Sequence, residues 1–128
     1  MITEDYVSFE TAKLLKEKGF DAALLCVYID TEKSDKKPCL LDTLCNYNDG
    51  HIKDVISAPT LQMAIKWLKE VHNLGVLPHW SQVTGEFSCR IYDLTKKGSQ
   101  EYHSIRGSFD GFEEPAELGI KYCLENLI

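Results

Sequence analysis

No stretch of this 128-residue chain approaches the run of about 20 apolar residues that a bilayer-spanning helix requires. The first ten residues, MITEDYVSFE, are acidic and lack the apolar core of a secretory signal, so the expectation is a cytosolic protein with no membrane partner. Basic charge is also in short supply: 20 acidic residues stand against 14 basic ones, for a formal net charge of −6. Neutralising a phosphate backbone takes clustered Lys and Arg, so this balance counts against nucleic acid as the default partner. The C-x-x-C pairing of a thiol metal site is missing. Cys26, Cys39, Cys45, Cys89 and Cys123 are odd in number and irregularly spaced, which suits reduced thiols better than a disulfide framework. No G-x-S-x-G elbow, H-E-x-x-H pair, Walker A loop or G-x-G-x-x-G turn is present, which removes the common motif-based enzyme assignments and any cofactor they imply.

What is present is an ordinary globular composition, 44% hydrophobic and 27% charged, far from the regime of disorder. The length suits one domain spanning residues 1–128. The plainest local signal runs from Ser57 to Val76. Leu61, Ala64, Ile65, Leu68 and Val71 recur at helical spacing, with Gln62, Lys66, Lys69 and Glu70 on the opposite side, so one face is built for a core. Gly75 is the expected C-terminal cap, with Val76 reaching back toward Val71. An earlier helix is expected to start after Ser8, to carry Phe9, Ala12, Leu14 and Leu15, and to stop at Gly19 with Phe20 folding back on Leu15. A last helix follows Pro115 and aligns Ala116, Ile120, Cys123, Leu124 and Leu127. The acidic Asp110, Glu113, Glu114 and Glu117 suit the positive end of its dipole.

Between the helices lie short runs rich in strand formers. Ala22 to Ile29 and Pro38 to Leu44 predict a hairpin, and Asn48-Asp49-Gly50 offers residues tolerant of positive φ before a third short strand from His51 to Val55. Val76 to Trp80 contains Pro78 and predicts an edge strand or an irregular segment. Glu86 to Leu94 alternates Phe87, Cys89, Ile91 and Asp93 with Ser88, Arg90, Tyr92 and Leu94, and a loop KKGSQ leads to a partner strand from Glu101 to Ile105. The expected fold is α+β: one antiparallel sheet of about four to six strands packed with three helices. Ile65-Lys66-Trp67 resembles Ile120-Lys121-Tyr122, which hints at two strand-then-helix halves.

Candidate chemistry is sparse. The nearest approach to a zinc site is Cys39, Cys45 and His51, which lacks a fourth ligand, so no metal is expected. His51, His72, His79 and His103 supply imidazoles for a catalytic group but no motif singles one out, and His72 suits the C-terminal end of its helix. His79 and Trp80 sit together beside Pro78, where an aromatic and an imidazole line a small pocket or Trp80 packs over the sheet edge. Trp67 and Tyr122 flank their helical stripes as core margin or dimer contacts. Lys33, Lys36 and Lys37, with Lys96 and Lys97, mark two basic loops able to touch phosphates.

Three segments carry a resemblance: V-S-F-E-T-A-K-L-L-K-E-K-G-F-D near the start, S-A-P-T-L-Q-M-A-I-K-W-L-K-E-V-H-N in the middle, and E-P-A-E-L-G-I-K-Y-C-L-E-N-L-I at the end. Together they resemble a family of small uncharacterised proteins of phages, prophages and other mobile elements of gut bacteria. Lys69 stands where that family commonly has arginine, and Pro115-Ala116-Glu117 departs from its Glu-Ala-rich helix start. The resemblance implies a phage or prophage accessory protein. A more distant likeness to phage α-β-α sandwich proteins implies a sheet covered by helices, and neither implies a catalytic residue. The leading expectation is therefore a non-catalytic module that binds another protein, with a possible homodimer, using Trp67, Trp80, His79 or Tyr122. The alternatives are a nucleic-acid binder using the lysine loops and a small enzyme without a recognisable motif.

Overall fold

The computed structural model of the protein describes residues 4–95 and 101–128. In chain order the elements are α1 (Phe9–Glu17), β1 (Leu24–Ile29), β2 (Cys39–Cys45), β3 (Val55–Ser57), α2 (Leu61–His72), β4 (Leu74–Trp80), β5 (Phe87–Asp93), β6 (Glu101–Phe109) and α3 (Glu113–Asn126). The fold is α+β with antiparallel strands and three helices among the described residues. The strands form two three-stranded sheets, β2-β1-β3 and β4-β5-β6, where a single sheet was expected. Hydrophobic alternation identifies strands but carries no information about which of them pair. The chain divides into two compact units, residues 1–60 and 61–128.

In the first unit the helix grammar near the start is realised as read. Ser8 caps α1 by accepting from the Thr11 amide at 3.2 Å. Gly19 takes φ +93°, the Phe20 amide donates to the Leu15 carbonyl at 2.9 Å, and the Gly19 amide to Lys16 at 3.2 Å. Those are the two bonds of a Schellman closure, and they bury Phe20. β1 is the central strand, paired to β2 on one side and to β3 on the other. The third strand begins at Val55, later than expected, and the left-handed residue leading into it is Asp54 (φ 62°), not one of the Asn48-Asp49-Gly50 triplet. Asn48 instead ties the loop down: its side chain donates to the Phe20 carbonyl and accepts from the Ser57 amide, both at 2.9 Å. The two ends of the unit meet where the Val7 amide donates to the Pro59 carbonyl at 3.0 Å, and the buried Tyr28 hydroxyl donates to the Val7 carbonyl at 2.5 Å.

In the second unit the strands follow one another as a meander, with β5 in the centre, and both helices pack on one face. That face carries Val76, Cys89 and Ile91, all buried with Ala64, Leu68, Ile120, Cys123 and Leu124. Gly119 allows α3 to approach closely, since a Cβ there would lie 2.7 Å from the Cys89 Sγ and 3.0 Å from Val76 Cγ1. The buried stripe of α2 is Ala64, Trp67 and Leu68, rotated from the expected one, and Val71 is exposed. Its exit also differs. Asn73 adopts the left-handed conformation (φ 55°), while Gly75 lies within β4, where a Cβ would meet Leu94 Cδ2 at 3.0 Å. Asn is the second choice after Gly for such an exit because its side chain tolerates positive φ. β4 is an edge strand and contains Pro78, as its composition predicts. α3 starts two residues before Pro115, with Glu113 and Glu114 in its first turn.

The two segments that hinted at duplication, around Trp67 and Tyr122, both belong to the second unit. Each unit instead opens with a helix followed by three strands, but with β1 central in one and β5 central in the other. The helix-then-three-strands order repeats, with α3 added in the second unit, and the pairing does not.

Candidate functional site

Alternation along β4, β5 and β6 sends successive side chains to opposite faces. With Val76, Cys89 and Ile91 turned to the helices, Leu77, His79, Ser88, Arg90 and Ser104 fall on the other face. The register confirms the grouping, because His79 pairs with Ser88, Leu77 with Arg90, and Arg90 with Ser104. The β4–β5 turn closes tightly at one end. The Ser81 amide donates to the Glu86 carbonyl at 2.9 Å and the Gly85 amide to the Ser81 carbonyl at 2.7 Å, with Gly85 at φ +70°. This turn delivers Ser81, Thr84 and Glu86 to the rim.

The result is a polar cleft of about 280 Å³ on the face opposite the helices, lined by His79, Ser88, Arg90, Ser104, Arg106 and Glu86 among others. The Ser88 hydroxyl and His79 Nδ1 are 3.0 Å apart, and the Arg106 Nε donates to the Ser104 hydroxyl at 3.3 Å. The Ser108 hydroxyl donates to Glu86 Oε1 at 3.1 Å. A hydrogen bond to the Tyr92 phenol and then the Tyr92 charge push the Arg90 pKa above its already high ordinary value; burial opposes them, and the Glu101 charge adds a lesser upward push. The guanidinium stays charged at any physiological pH. Neither Arg90 nor Arg106 forms an ion pair with a carboxylate among the described residues.

The thiols lie elsewhere. Burial pushes Cys89 and Cys123 up to about 12 and raises Cys26 as well, so these sulfurs are protonated and unreactive at neutral pH. All five cysteines are free thiols, and no group of three metal-ligating side chains occurs among the described residues. Cys39 and His51 are exposed and Cys45 is half-buried.

The candidates read from the sequence are dispersed. His79 lines the cleft. Trp80, 53% exposed, ends β4. Trp67 is only 7% exposed and belongs to the core, with its ring 4.7 Å from that of His72 in an edge contact. Tyr122 stacks on His103 at 4.1 Å and borders a shallow groove with Ile105, Leu118 and Lys121. Lys36 is engaged within its own loop and by α1: it pairs with Asp30 at 3.5 Å, donates to the Thr31 carbonyl at 2.9 Å, and lies 4.6 Å from the ring centre of Phe9 in α1. Lys33 and Lys37 are exposed, and Lys96, Lys97 and the rest of the KKGSQ loop lie outside the described residues. The sequence reading missed Arg90 and Arg106 as a pair. The available signal was that they are the only two arginines among 14 basic residues.

Comparison with family models, with curated proteins and with solved structures finds no match. No helix among the described residues is long and apolar enough to cross a membrane.

Proposed function

We propose that the protein is a non-catalytic accessory module of a phage or prophage, working in the host cytosol by binding another protein through the face of β4-β5-β6 that carries the cleft. The phage assignment rests on the three resembling segments alone. The single observation behind the binding reading is the cleft holding both arginines, with exposed apolar side chains beside it. Leu77 is 51% exposed on the same face, next to Arg90, and Val83 is 95% exposed in the adjoining turn. Arginine and large apolar groups side by side form the usual composition of a binding hot spot. At about 280 Å³ the cleft falls just below the range of about 300–1,000 Å³ typical of cofactor and small-molecule sites. It suits the tip of one side chain better than a whole ligand.

A photo-crosslinking residue placed at Leu77 tests this. Discrete cross-linked products from Leu77, none from the same residue placed at Lys66 on the exposed face of α2, and reproduction of the product with the purified partner are expected. Equal labelling from both positions would remove the reading.

The Ser88–His79 contact favours a second reading, a small hydrolase. Acyl transfer further requires a group to orient the imidazole and amide donors for the oxyanion. Ser88 sits in the central strand, whose backbone faces ladders on both sides, and no carboxylate among the described residues bonds His79. A fluorophosphonate probe is expected to leave Ser88 unlabelled; labelling there would overturn the binding reading in favour of the enzyme.

A further inference from the structure

Resting on the protein-binding reading, we propose that the cleft receives a single carboxylate side chain from an acidic peptide segment of the partner, held by Arg90 and Arg106. Cations are distributed over the rest of this chain as lysine, and both residues with a planar five-donor fork line the same cleft. Arg90 pairs across the ladder with Ser104, and Arg106 donates to the hydroxyl of that same Ser104, so both arginines border one position of the sheet and line one cleft, with Arg90 also hydrogen-bonded to the neutral Tyr92 phenol. With 20 acidic residues in the chain, neither guanidinium is paired to a carboxylate of the described residues. Ser88, Ser104 and Thr84 add hydroxyl donors around that position.

Three features favour a carboxylate on a protein over a nucleic-acid backbone or a free phosphate. Glu86 on the cleft wall opposes each further negative charge, so one charge is accommodated better than two. The chain carries −6 overall, which repels a polyanion, whereas a short peptide brings its few charges locally. Finally, Leu77 and Val83 offer apolar contacts to the residues flanking an acidic side chain, and a phosphodiester strand has no use for them.

The presence of two arginines gives a direct readout, since the Nε–Hε region of a ¹⁵N correlation spectrum of the full chain contains signals from these two side chains alone. The probe is a blocked Leu-Glu-Leu tripeptide, with Leu-Gln-Leu, inorganic phosphate and a single-stranded oligonucleotide as comparisons. Both Nε signals are expected to shift with the glutamate peptide and to stay in place with the glutamine one. R106K and R90K each keep the charge and lose the fork, and are expected to weaken the glutamate peptide about tenfold. Arg106 is exposed, so unchanged backbone signals in R106K confirm an intact fold. An equal response to phosphate, a response to the oligonucleotide alone, or no response would each overturn the carboxylate assignment. Position-specific cross-linking from Leu77 alongside silent arginine signals would leave protein binding standing and sink only this proposal.

Discussion

A methyl group on Gly119 would come within 2.7 Å of the Cys89 sulfur, where α3 crosses β5. Gly119→Ala gains helix propensity of about 1 kcal/mol and meets an overpacking cost of about 1–3 kcal/mol. The expected net result in urea unfolding is destabilisation. Cys89→Ala removes the obstructing atom, so the double variant is expected to be more stable than the sum of the two single changes, with a coupling of about 1 kcal/mol or more.

Asn48 fastens two separate segments of the first unit with its one amide. Asn48→Ala leaves the Phe20 carbonyl and the Ser57 amide without that partner, at a cost of about 1–3 kcal/mol. Asn48→Asp keeps the acceptor and loses the donor, and is expected to fall between wild type and alanine in a chemical denaturation series.

Asn73 holds φ 55° at the end of α2. Asn73→Gly relieves the left-handed strain and is expected to stabilise the fold by a few tenths up to about 1 kcal/mol, while Asn73→Ala destabilises it by a similar amount. Thermal unfolding of the pair gives opposite shifts in Tm.

The Cys89 and Cys123 thiols are raised to about 12 from an ordinary value of 9.0. Above pH 9 the unfolded chain releases these protons and the folded chain keeps them. Their contribution is therefore complete below pH 9 and declines as pH rises toward 12, by at most about 1.4 kcal/mol per pH unit for each thiol. Stability measured from pH 8 to 10.5 is expected to fall less steeply in Cys123→Ala than in wild type. In the native protein, the exposed Cys39 is expected to react with a thiol reagent while Cys89 and Cys123 remain protected until unfolding.

How much of this was readable beforehand follows the range of the interactions. α1 was readable at both ends, because Ser8 and Gly19 act on residues three to five positions away. The end of α2 was misplaced because two residues compete for the left-handed position, and Gly75 is taken up by its contact with Leu94. The rotation of the α2 stripe, which buries Trp67 and exposes Val71, depends on where α3 and β4 lie against it. His79 was singled out from its neighbours. The arginine pair was not, because Arg90 and Arg106 come together through the β5–β6 register, a long-range property that no local pattern encodes.

The strand order of the first unit sets the timetable of its assembly. A nascent chain released through Cys45 holds β1 and β2 as a lone hairpin, and such a pair is marginal in water. The second neighbour of β1, and the Pro59 carbonyl that receives Val7, emerge only later. The meander of β4, β5 and β6 adds each strand to its immediate predecessor, so its loops close sooner. The first unit thus closes its sheet by bringing together strands separated by an intervening one, whereas the second completes its sheet by neighbouring additions and is then covered by α3.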